Sequence, residues 1–213
     1  MSGQTLLVAD LSEAQGTVDW PRLPGAVDGV VLRLGYRGYG PAGTLVTDGR
    51  FAANWAGARA AGLPAGAYWL SQARTEDEAR AEADYADGVL RAAGAAPGTL
   101  GLPLFLDSEW GEAAGGTGRA DRLSPAQRTR CALALLGRLR AQGWRTGLYT
   151  GVSWFREQLD GAAIRDAGHA IWIASVEHVP PPLAWDAWQY TWRGQLPGVG
   201  TAVDLSRFRR AQL

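Results

Sequence analysis

The amino-acid sequence predicts an α/β fold, a modified TIM-like barrel of eight strands with about five helices. Apolar, strand-like runs alternate with helix-like segments through the first three quarters of the chain, a pattern typical of parallel strands wrapped by helices. In the last quarter, three strand-like runs follow one another without intervening helices. Five strand–helix units followed by three bare strands make eight strands, the number that closes a small barrel filled by its own side chains.

The predicted strands are short apolar runs. They cover 5–9, 29–34, 65–70, 102–106, 146–149, 170–174, 187–190 and 202–205. An open, doubly wound sheet is the competing fold, but it needs helices on both faces of the sheet to the end of the chain. The last quarter holds too few helical segments for that arrangement, so the sequence favours the closed barrel.

The helices are predicted partly from the residues at their ends. Asp19 would cap a short helix whose first turn holds Pro21. Gly62 would end the helix that precedes it. Ser124 would cap a long helix, with Gln127 at the spacing of a capping box. The predicted helical segments are 20–23, 51–61, 76–93, 124–142 and 153–159.

Length and charge narrow the classes of protein that fit. A chain of 213 residues is expected to form one domain, 1–213, because a core of that size buries roughly 70% of the unfolded surface. The formal net charge is zero, with 21 basic and 21 acidic side chains. The sequence therefore lacks the excess of basic residues that is typical of proteins that bind nucleic acid or anionic membrane surfaces. Cys131 is the single cysteine, so neither a disulfide framework nor a cysteine-based zinc site is expected.

The start of the chain bears on where the protein acts. It reaches an apolar run by Leu6 and lacks the charged start and long apolar segment of a secretory signal. No stretch approaches the roughly 20 apolar residues that a membrane-spanning helix needs. We therefore expect a chain that stays in the cytoplasm until cell lysis or another route releases it.

Carboxylates lie at the strand ends, where barrels of this kind hold their chemistry. Asp10 ends the first predicted strand, and Asp204 lies in the last. Asp107 and Glu109 follow the fourth at a spacing of i, i+2, so both side chains leave an extended chain on one face. We expect these four carboxyl groups to meet at one mouth, where crowding keeps a proton on at least one of them near neutral pH. A protonated acid beside an ionised carboxylate is what glycosidic cleavage requires.

Other interpretations are weaker or stay open. An acid at a strand end often caps a loop or forms half of a salt bridge, and carboxylate clusters also bind Ca²⁺ or Mg²⁺. The dense Asp/Asn/Gly loop pattern of such metal sites is missing, so no metal or other cofactor is expected. The sequence holds no Gly-x-Ser-x-Gly or His-Glu-x-x-His motif, and His169 and His178 lie in loops. The Gly-rich run 115–118 lacks the lysine of a P-loop and is predicted to be a loop.

Aromatic residues support a carbohydrate ligand, because the flat apolar faces of sugars stack on aromatic rings. Several aromatic residues lie within or just after predicted strands, and those near strand ends should surround the mouth. The set is Tyr68, Trp69, Tyr149, Trp172, Trp188, Tyr190 and Trp192. Four other tryptophans are expected to bridge the helices and the barrel instead: Trp20, Trp55, Trp144 and Trp154.

Several segments, in order and at matching spacing, resemble the family 25 glycoside hydrolases, the Chalaropsis-type lysozymes. The opening 10–20 resembles the D-x-S-x-x-Q-G…(I/V)-D-W start of that family, and 102–109 resembles its L-P-x-x-x-D-x-E segment. Further similar segments are 66–71, 147–151, 171–174, 188–191 and 203–208. The likeness covers essentially the whole chain, although Ser206 stands where the family usually has Asn.

This resemblance implies hydrolysis of the β-1,4 bond after N-acetylmuramic acid in peptidoglycan. It implies Glu109 as the general acid and Asp107 as its partner, which either stabilises the cation-like centre or assists the N-acetyl group of the substrate. Asp10 and Asp204 would position the substrate and tune this pair. The residues implied to line the sugar groove are Tyr68, Tyr149, Trp172 and Gln189.

The implied partner is the glycan strand of bacterial peptidoglycan. The protein is expected to be a monomer that binds neither nucleic acid nor membranes. Because the chain lacks a basic run, it is expected to reach the anionic wall through a separate wall-binding module or assembly, or through release inside the cell. Retention of configuration is expected, with the working groups closer than the roughly 6.5–9.5 Å of inverting enzymes. Two alternatives stay open: a non-enzymatic wall- or glycan-binding barrel in a phage tail or larger assembly, and a glycosidase for another N-acetylated polysaccharide such as chitin.

Overall fold

The computed structural model describes residues 5–111, 117–176 and 179–209. The strands in these ranges are β1 (Thr5–Leu11), β2 (Gly29–Arg37), β3 (Leu45–Thr47), β4 (Ala65–Leu70), β5 (Leu104–Asp107), β6 (Thr146–Gly151), β7 (Ala170–Ala174), β8 (Ala187–Gly194) and β9 (Val203–Arg209). The α-helices are α1 (Phe51–Ala60), α2 (Glu76–Ala92), α3 (Pro125–Ala141), α4 (Val152–Glu157) and α5 (Gly161–Asp166). Short 3₁₀ turns, Glu13–Gln15 and Trp20–Arg22, stand between β1 and β2.

Eight of these strands close a barrel in the order β1-β9-β8-β7-β6-β5-β4-β2, and β2 pairs back to β1. The remaining strand, β3, lies outside the barrel and pairs antiparallel with β2. Neighbouring barrel strands run parallel from β1 through β2 and β4 to β8. In contrast, β9 runs antiparallel to both β1 and β8. The predicted α/β barrel of eight strands and about five helices is confirmed.

The antiparallel direction of β9 follows from the short connection before it. Residues 195–202 join β8 to β9, whereas parallel neighbours need a crossover of about a dozen residues or more. The new strand therefore starts at the end of the barrel where the parallel strands finish. Asp204, its second residue, lies opposite Asp10 in the ladder, so it reaches the mouth from the beginning of its strand rather than from the end.

Some local predictions need correction. The helix predicted at 20–23 is a single 3₁₀ turn, and the Asp19 side chain forms no cap there. A capping side chain binds the N–H of the second or third residue, but Pro21 has no N–H and the Arg22 N–H donates to the Asp19 carbonyl. In addition, β3 and α5 occupy segments that the sequence predicts as loop or irregular chain.

The predicted cap of α3 forms on one side. Ser124 Oγ accepts from the Gln127 N–H at 3.2 Å, as expected of a capping serine. The Gln127 side chain instead donates to the Arg74 carbonyl at 3.2 Å. The glutamine therefore ties α3 to the segment before α2 and does not complete a capping box.

Two apolar layers build the core. The interior of the barrel is filled by Val8, Val31, Leu102, Phe105, Trp172, Ala187 and Phe208. Phe105, Trp172 and Phe208 meet edge to face, with ring centroids between 5.1 and 5.9 Å apart, and they form a floor beneath the mouth. The second layer lies between strands and helices. As predicted, it includes the bridging tryptophans Trp20, Trp55, Trp144 and Trp154.

Cys131 and His169 are packing residues. The thiol is buried in α3. The His169 Nδ1 lies 2.7 Å from Thr146 Oγ1, and burial lowers the pKa of His169 to about 4. His178 and most of the run 115–118 lie outside the described residues. In the described ranges, no helix combines the length and apolar character needed to cross a membrane.

A buried ion pair joins the barrel to α2. Arg37, the last residue of β2, donates its Nε to Glu82 Oε1 at 2.6 Å, and the two side chains are 8% and 0% exposed. The same guanidinium donates to the carbonyls of Gly43 and Glu78. Burial raises the pKa of Glu82, and hydrogen bonds from Ser71 and Arg37 oppose the rise. The fold therefore depends on a carboxylate that its partner must neutralise.

Arg37→Ala is expected to lower the free energy of unfolding by about 3–5 kcal/mol, because Glu82 would be buried without its cation. Urea unfolding at neutral pH, followed by tryptophan fluorescence, measures the loss. Arg80→Ala removes exposed ion pairs on the same helix and should leave the midpoint almost unchanged. A loss for Arg37→Ala no larger than that of Arg80→Ala would show that the buried pair is dispensable.

Candidate active site

A cavity of about 70 Å³ opens at the end of the barrel where the parallel strands finish. It is lined by Asp10, Tyr68, Asp107, Glu109, Tyr149, Trp172 and Asp204. Each of these is a residue that the sequence predicts for the site. The remaining predicted residue, Gln189, is buried and accepts a hydrogen bond from Tyr149. The structure therefore brings all the predicted site residues together.

The pleat of the strands aims the acids at this cavity. Asp10 and Asp107 continue the inward-facing rows of β1 and β5 above the apolar floor. Glu109 lies two residues beyond Asp107 and reaches the cavity from the rim. Ser108, between them, points away from the cavity, and its Oγ accepts from Trp154 Nε1 at 3.2 Å. Alternation along an extended chain thus places two acids on one face, as the spacing predicts.

Tyr149, Gln189 and Asp204 form a hydrogen-bonded row along one side. The Tyr149 hydroxyl donates to Gln189 Oε1, and the Gln189 side chain hydrogen bonds to the Asp204 carboxylate. The Tyr149 ring packs edge to face on Trp172, with centroids 4.6 Å apart. Trp172 in turn donates its Nε1 to Ser206 Oγ at 3.0 Å. These contacts fix both the glutamine amide and the aromatic wall.

Asp107 is buried and Asp10 is half-buried, and both have incomplete partners. Within the described residues, one oxygen of each carboxyl has no hydrogen-bond partner. Burial raises the pKa of Asp10 well above its ordinary value, and the charges of Asp204 and Glu109 raise it further. Burial also raises the pKa of Asp107 well above its ordinary value, followed by the charge of Glu109. Since an unpaired buried charge is costly, this cluster keeps protons near neutral pH.

Glu109 is the most exposed of the four acids. One side of the residue is exposed at the rim, while protein atoms crowd its carboxyl on the other side. This desolvation raises the pKa of Glu109 to about 7, and the negative charge of Asp204 adds to the rise. A carboxyl with a pKa near neutrality can both give and take a proton at physiological pH.

Arg33 is a neighbour of the site that sequence reasoning missed. Its guanidinium bonds to Asp48 at 2.7 Å and to Glu13 at 3.0 Å. Its positive charge opposes the rise in the pKa of Asp107 and that of Tyr68. A lone arginine inside an apolar predicted strand is the signal that could have identified it.

Other aromatics of the strands lie away from the cavity. Trp69 points to the outer face of β4 and packs against Tyr85, with centroids 5.5 Å apart. Trp188 and Tyr190 pack against each other at 5.9 Å, and Trp192 is 53% exposed. Because neighbouring residues of a strand face opposite sides, a strand position alone does not bring a ring to the mouth.

Larger cavities lie elsewhere, but they lack this chemistry. One of about 580 Å³ borders the starts of β6 and β7, and one of about 600 Å³ lies beside the N-terminus of α3. Neither is lined by a buried carboxyl oxygen without a partner. In the part of the chain that the structure describes, no group of His, Cys, Asp or Glu side chains is arranged to hold a metal ion.

The barrel and its acids define the class of protein. Cleavage of a glycosidic bond needs a proton donor beside the leaving oxygen and a carboxyl group facing the reacting carbon. Glu109 and Asp107 lie together at a mouth lined by aromatic rings and have the chemistry that such a pair requires. This combination is that of a glycoside hydrolase.

The sequence identifies the family within that class. Residues 9–199 match the model of the glycosyl hydrolases family 25. The match spans most of the chain, and the protein belongs to this family. No curated protein matches the chain.

Solved structures share the fold. The modular autolysin LytC from Streptococcus pneumoniae has a TM-score of 0.82 at 22% identity, covering 96% of this chain and 47% of LytC. The bacterial lysozyme from Streptomyces coelicolor has a TM-score of 0.79 at 25% identity, covering 99% of this chain and 95% of that one. The catalytic domain of endolysin ply40 from bacteriophage P40 of Listeria monocytogenes has a TM-score of 0.76 at 23% identity, covering 100% and 97%. This chain thus spans about half the length of the autolysin.

Asp107→Asn is expected to raise the melting temperature more at about pH 8 than at about pH 4. At low pH the folded and unfolded wild-type chains both hold the proton, so the substitution changes little. As the pH rises above the ordinary aspartate pKa, the unfolded chain loses the proton before the folded one, whose pKa is raised. The free energy of unfolding of the wild type therefore falls as the pH rises through this window, and Asp107→Asn removes this fall.

Calorimetry across this pH range measures the effect, with each kcal/mol worth roughly 2–4 °C in a chain of this size. Asp186→Asn is the control. Because Asp186 accepts a hydrogen bond from the Ile171 N–H at 2.7 Å, this substitution should lower the melting temperature. A stabilisation by Asp107→Asn that shrinks as the pH rises would contradict the raised pKa.

Proposed function

We propose that this protein is a lysozyme that hydrolyses peptidoglycan, cleaving the β-1,4 bond between N-acetylmuramic acid and N-acetylglucosamine. The observation that carries the proposal is Glu109, whose pKa of about 7 provides a proton donor beside the buried carboxyl of Asp107. Membership of glycosyl hydrolase family 25 supports the reaction type. The substrate is supported by similar structures described as an autolysin with a peptidoglycan ligand, a lysozyme and an endolysin.

In the proposed first step, Glu109 gives its proton to the glycosidic oxygen as the bond to the anomeric carbon breaks. Positive charge then develops on the sugar ring opposite Asp107. In the reacting form, Glu109 holds the proton and Asp107 is ionised. The Asp107 carboxylate then either bonds to the anomeric carbon or orients the N-acetyl oxygen of the substrate as that oxygen attacks. In the second step, water attacks the anomeric carbon, the bond from that carbon to Asp107 or to the N-acetyl oxygen breaks, and the water gives a proton to Glu109. One water is consumed, both working acids return to their starting states, and the configuration is retained.

The other residues of the cavity are proposed to hold the sugar and tune the acids. A cavity of about 70 Å³ has room for a few water molecules, so the sugar ring would lie across the mouth and insert one substituent. Tyr68, Tyr149 and Trp172 offer ring edges and faces for stacking. Burial and nearby acids raise the pKa of both tyrosines well above the ordinary value. Their hydroxyls therefore stay protonated and can donate hydrogen bonds.

The proposed place of action is the bacterial cell wall. We propose that 1–213 serves as a monomeric catalytic domain and that a separate module or assembly brings it to the wall. The zero formal net charge supports this division, because the domain itself has little long-range attraction to an anionic polymer.

Glu109→Gln is expected to lower the rate of wall hydrolysis by about 10²–10⁴-fold, because glutamine keeps the shape of the side chain but has no acidic proton. The fall in turbidity of purified cell walls measures the rate, and circular dichroism confirms the fold. Glu157→Gln, an exposed change on α4, is the matched control and should keep the wild-type rate. Equal rates for Glu109→Gln and the wild type would refute the assignment of the acid.

Product analysis separates lysozyme activity from its alternatives. Mass spectrometry after borohydride reduction is expected to show reduced N-acetylmuramic acid at each new end, and proton NMR should show the β-anomer first. New N-acetylglucosamine ends from peptidoglycan, or release from chitin at an equal rate, would assign a different glycosidase. Binding without any new reducing end would assign a glycan-binding barrel.

A further inference from the structure

The carboxyl of Glu109 has no hydrogen-bonding anchor among the residues that the structure describes. Its direction therefore depends on the backbone of 108–111, which leaves β5 and is called the exit segment below. Whatever holds the exit segment determines whether the acid points into the cavity.

The first half of the exit segment is bound to β6 and α4. The Ser108 N–H donates to the Tyr149 carbonyl at 3.0 Å, and the Ser108 carbonyl accepts from Thr150 Oγ1 at 2.7 Å. The Ser108 hydroxyl accepts from Trp154 Nε1 at 3.2 Å. These contacts fix the residue just before Glu109.

The second half of the exit segment is held by Asp121, a carboxylate that is 5% exposed. Its Oδ1 accepts from the Gly111 N–H at 2.9 Å, and its Oδ2 accepts from the Gly118 N–H at 2.5 Å. One side chain thus clamps two passages of the backbone against each other. A Cβ atom added at Gly111 would lie 2.6 Å from the Gly118 Cα, so the close approach requires glycine.

Asp121 is itself held in place by Arg128. The Arg128 guanidinium donates to the Asp121 carbonyl at 3.1 Å and lies 4.4 Å from the centre of the Trp154 ring. Trp154 also packs edge to face on Trp110, with centroids 4.6 Å apart. Contacts from one connected cluster therefore hold the chain on both sides of Glu109.

We propose that Asp121 is a positioning residue for Glu109, which it acts on by binding the amide two residues further along the chain. Charge-assisted hydrogen bonds to backbone amides are short and strong, so they restrict the path of the exit segment. The Asp121 carboxylate does not line the cavity, so its proposed role is to position Glu109 and not to react with the substrate. The inference rests on the proposed function in one respect, that Glu109 is the general acid.

Asp121→Asn tests the proposal, because the amide NH₂ group cannot accept a hydrogen bond and one of the two backbone amides is released. Hydrolysis of soluble glycan fragments is expected to fall about 10- to 100-fold in kcat with KM little changed, as for a small misplacement of a catalytic group. The loosened segment should also expose Glu109 to water. The pKa of Glu109 should then drop from about 7 towards its ordinary value, which moves the alkaline limb of the activity profile to lower pH.

The titration of Glu109 is measured directly by ¹³C NMR of the glutamate carboxyls, with Glu109→Gln to assign the signal. Asp186→Asn is the matched control, since Asp186 is a buried carboxylate that accepts a backbone amide at the opposite end of the barrel. It should lower the melting temperature without moving kcat or the Glu109 titration. Gly111→Ala should reproduce the effect of Asp121→Asn by forcing the two backbone passages apart.

An unchanged Glu109 titration in folded Asp121→Asn would overturn the proposal, whatever the melting temperature. If Asp121→Asn does not fold, the Gly111→Ala titration decides in the same way. Failure of the wild-type chain to cleave peptidoglycan would instead refute the proposed function. The NMR titration needs no substrate, so it would still decide whether Asp121 positions Glu109.

Discussion

The site depends on keeping four carboxyl groups together in a cavity that opens to water at the rim. Burial raises the pKa of each of them, and the charges of neighbouring acids raise those of Asp10, Asp107 and Glu109 further. Such crowding opposes folding, because charged groups favour water and like charges favour separation. The remainder of the barrel must therefore offset this cost. The aromatic floor and the apolar layer under the helices do so through burial, at roughly 25 cal/mol for each Å² removed from water.

The direction of the last strand makes this crowding possible. A strand running from mouth to base between β8 and β1 brings its first residues to the same rim that the parallel strands reach with their last ones. Asp204 therefore faces Asp10 across the ladder, and Gln189 on β8 lies within hydrogen-bonding reach of Asp204. Closure of the barrel and assembly of the acid cluster are the same structural event.

The sequence predicts the parts of the fold and the site that depend on local patterns. Apolar runs locate the strands, and the i, i+2 spacing of Asp107 and Glu109 places both on one face without knowledge of the fold. The direction of β9 does not follow from its own residues. Predicting it requires the length of the connection before it and the positions of its neighbouring strands. The roles of Arg33 and Asp121 are harder to predict, because an arginine in a strand and an acid in a loop are common in proteins. Their roles become visible once the contacts to other segments are known.

The acids of the cavity differ from the buried structural acids in what lies next to them. Among the structural acids, Glu82 also has one oxygen without a partner in the described residues, but it pairs with Arg37. Asp48 accepts hydrogen bonds from two backbone amides and from Arg33, and Asp121 accepts two backbone amides. Asp10 and Asp107 each keep a buried oxygen for which the described residues supply no partner. A buried oxygen without a partner costs free energy of folding, and neither Asp10 nor Asp107 has an ion pair with an arginine in the described residues to offset that cost. Asp10 and Asp107 line the cavity beside Glu109, so the substrate proposed above would supply the missing partner there.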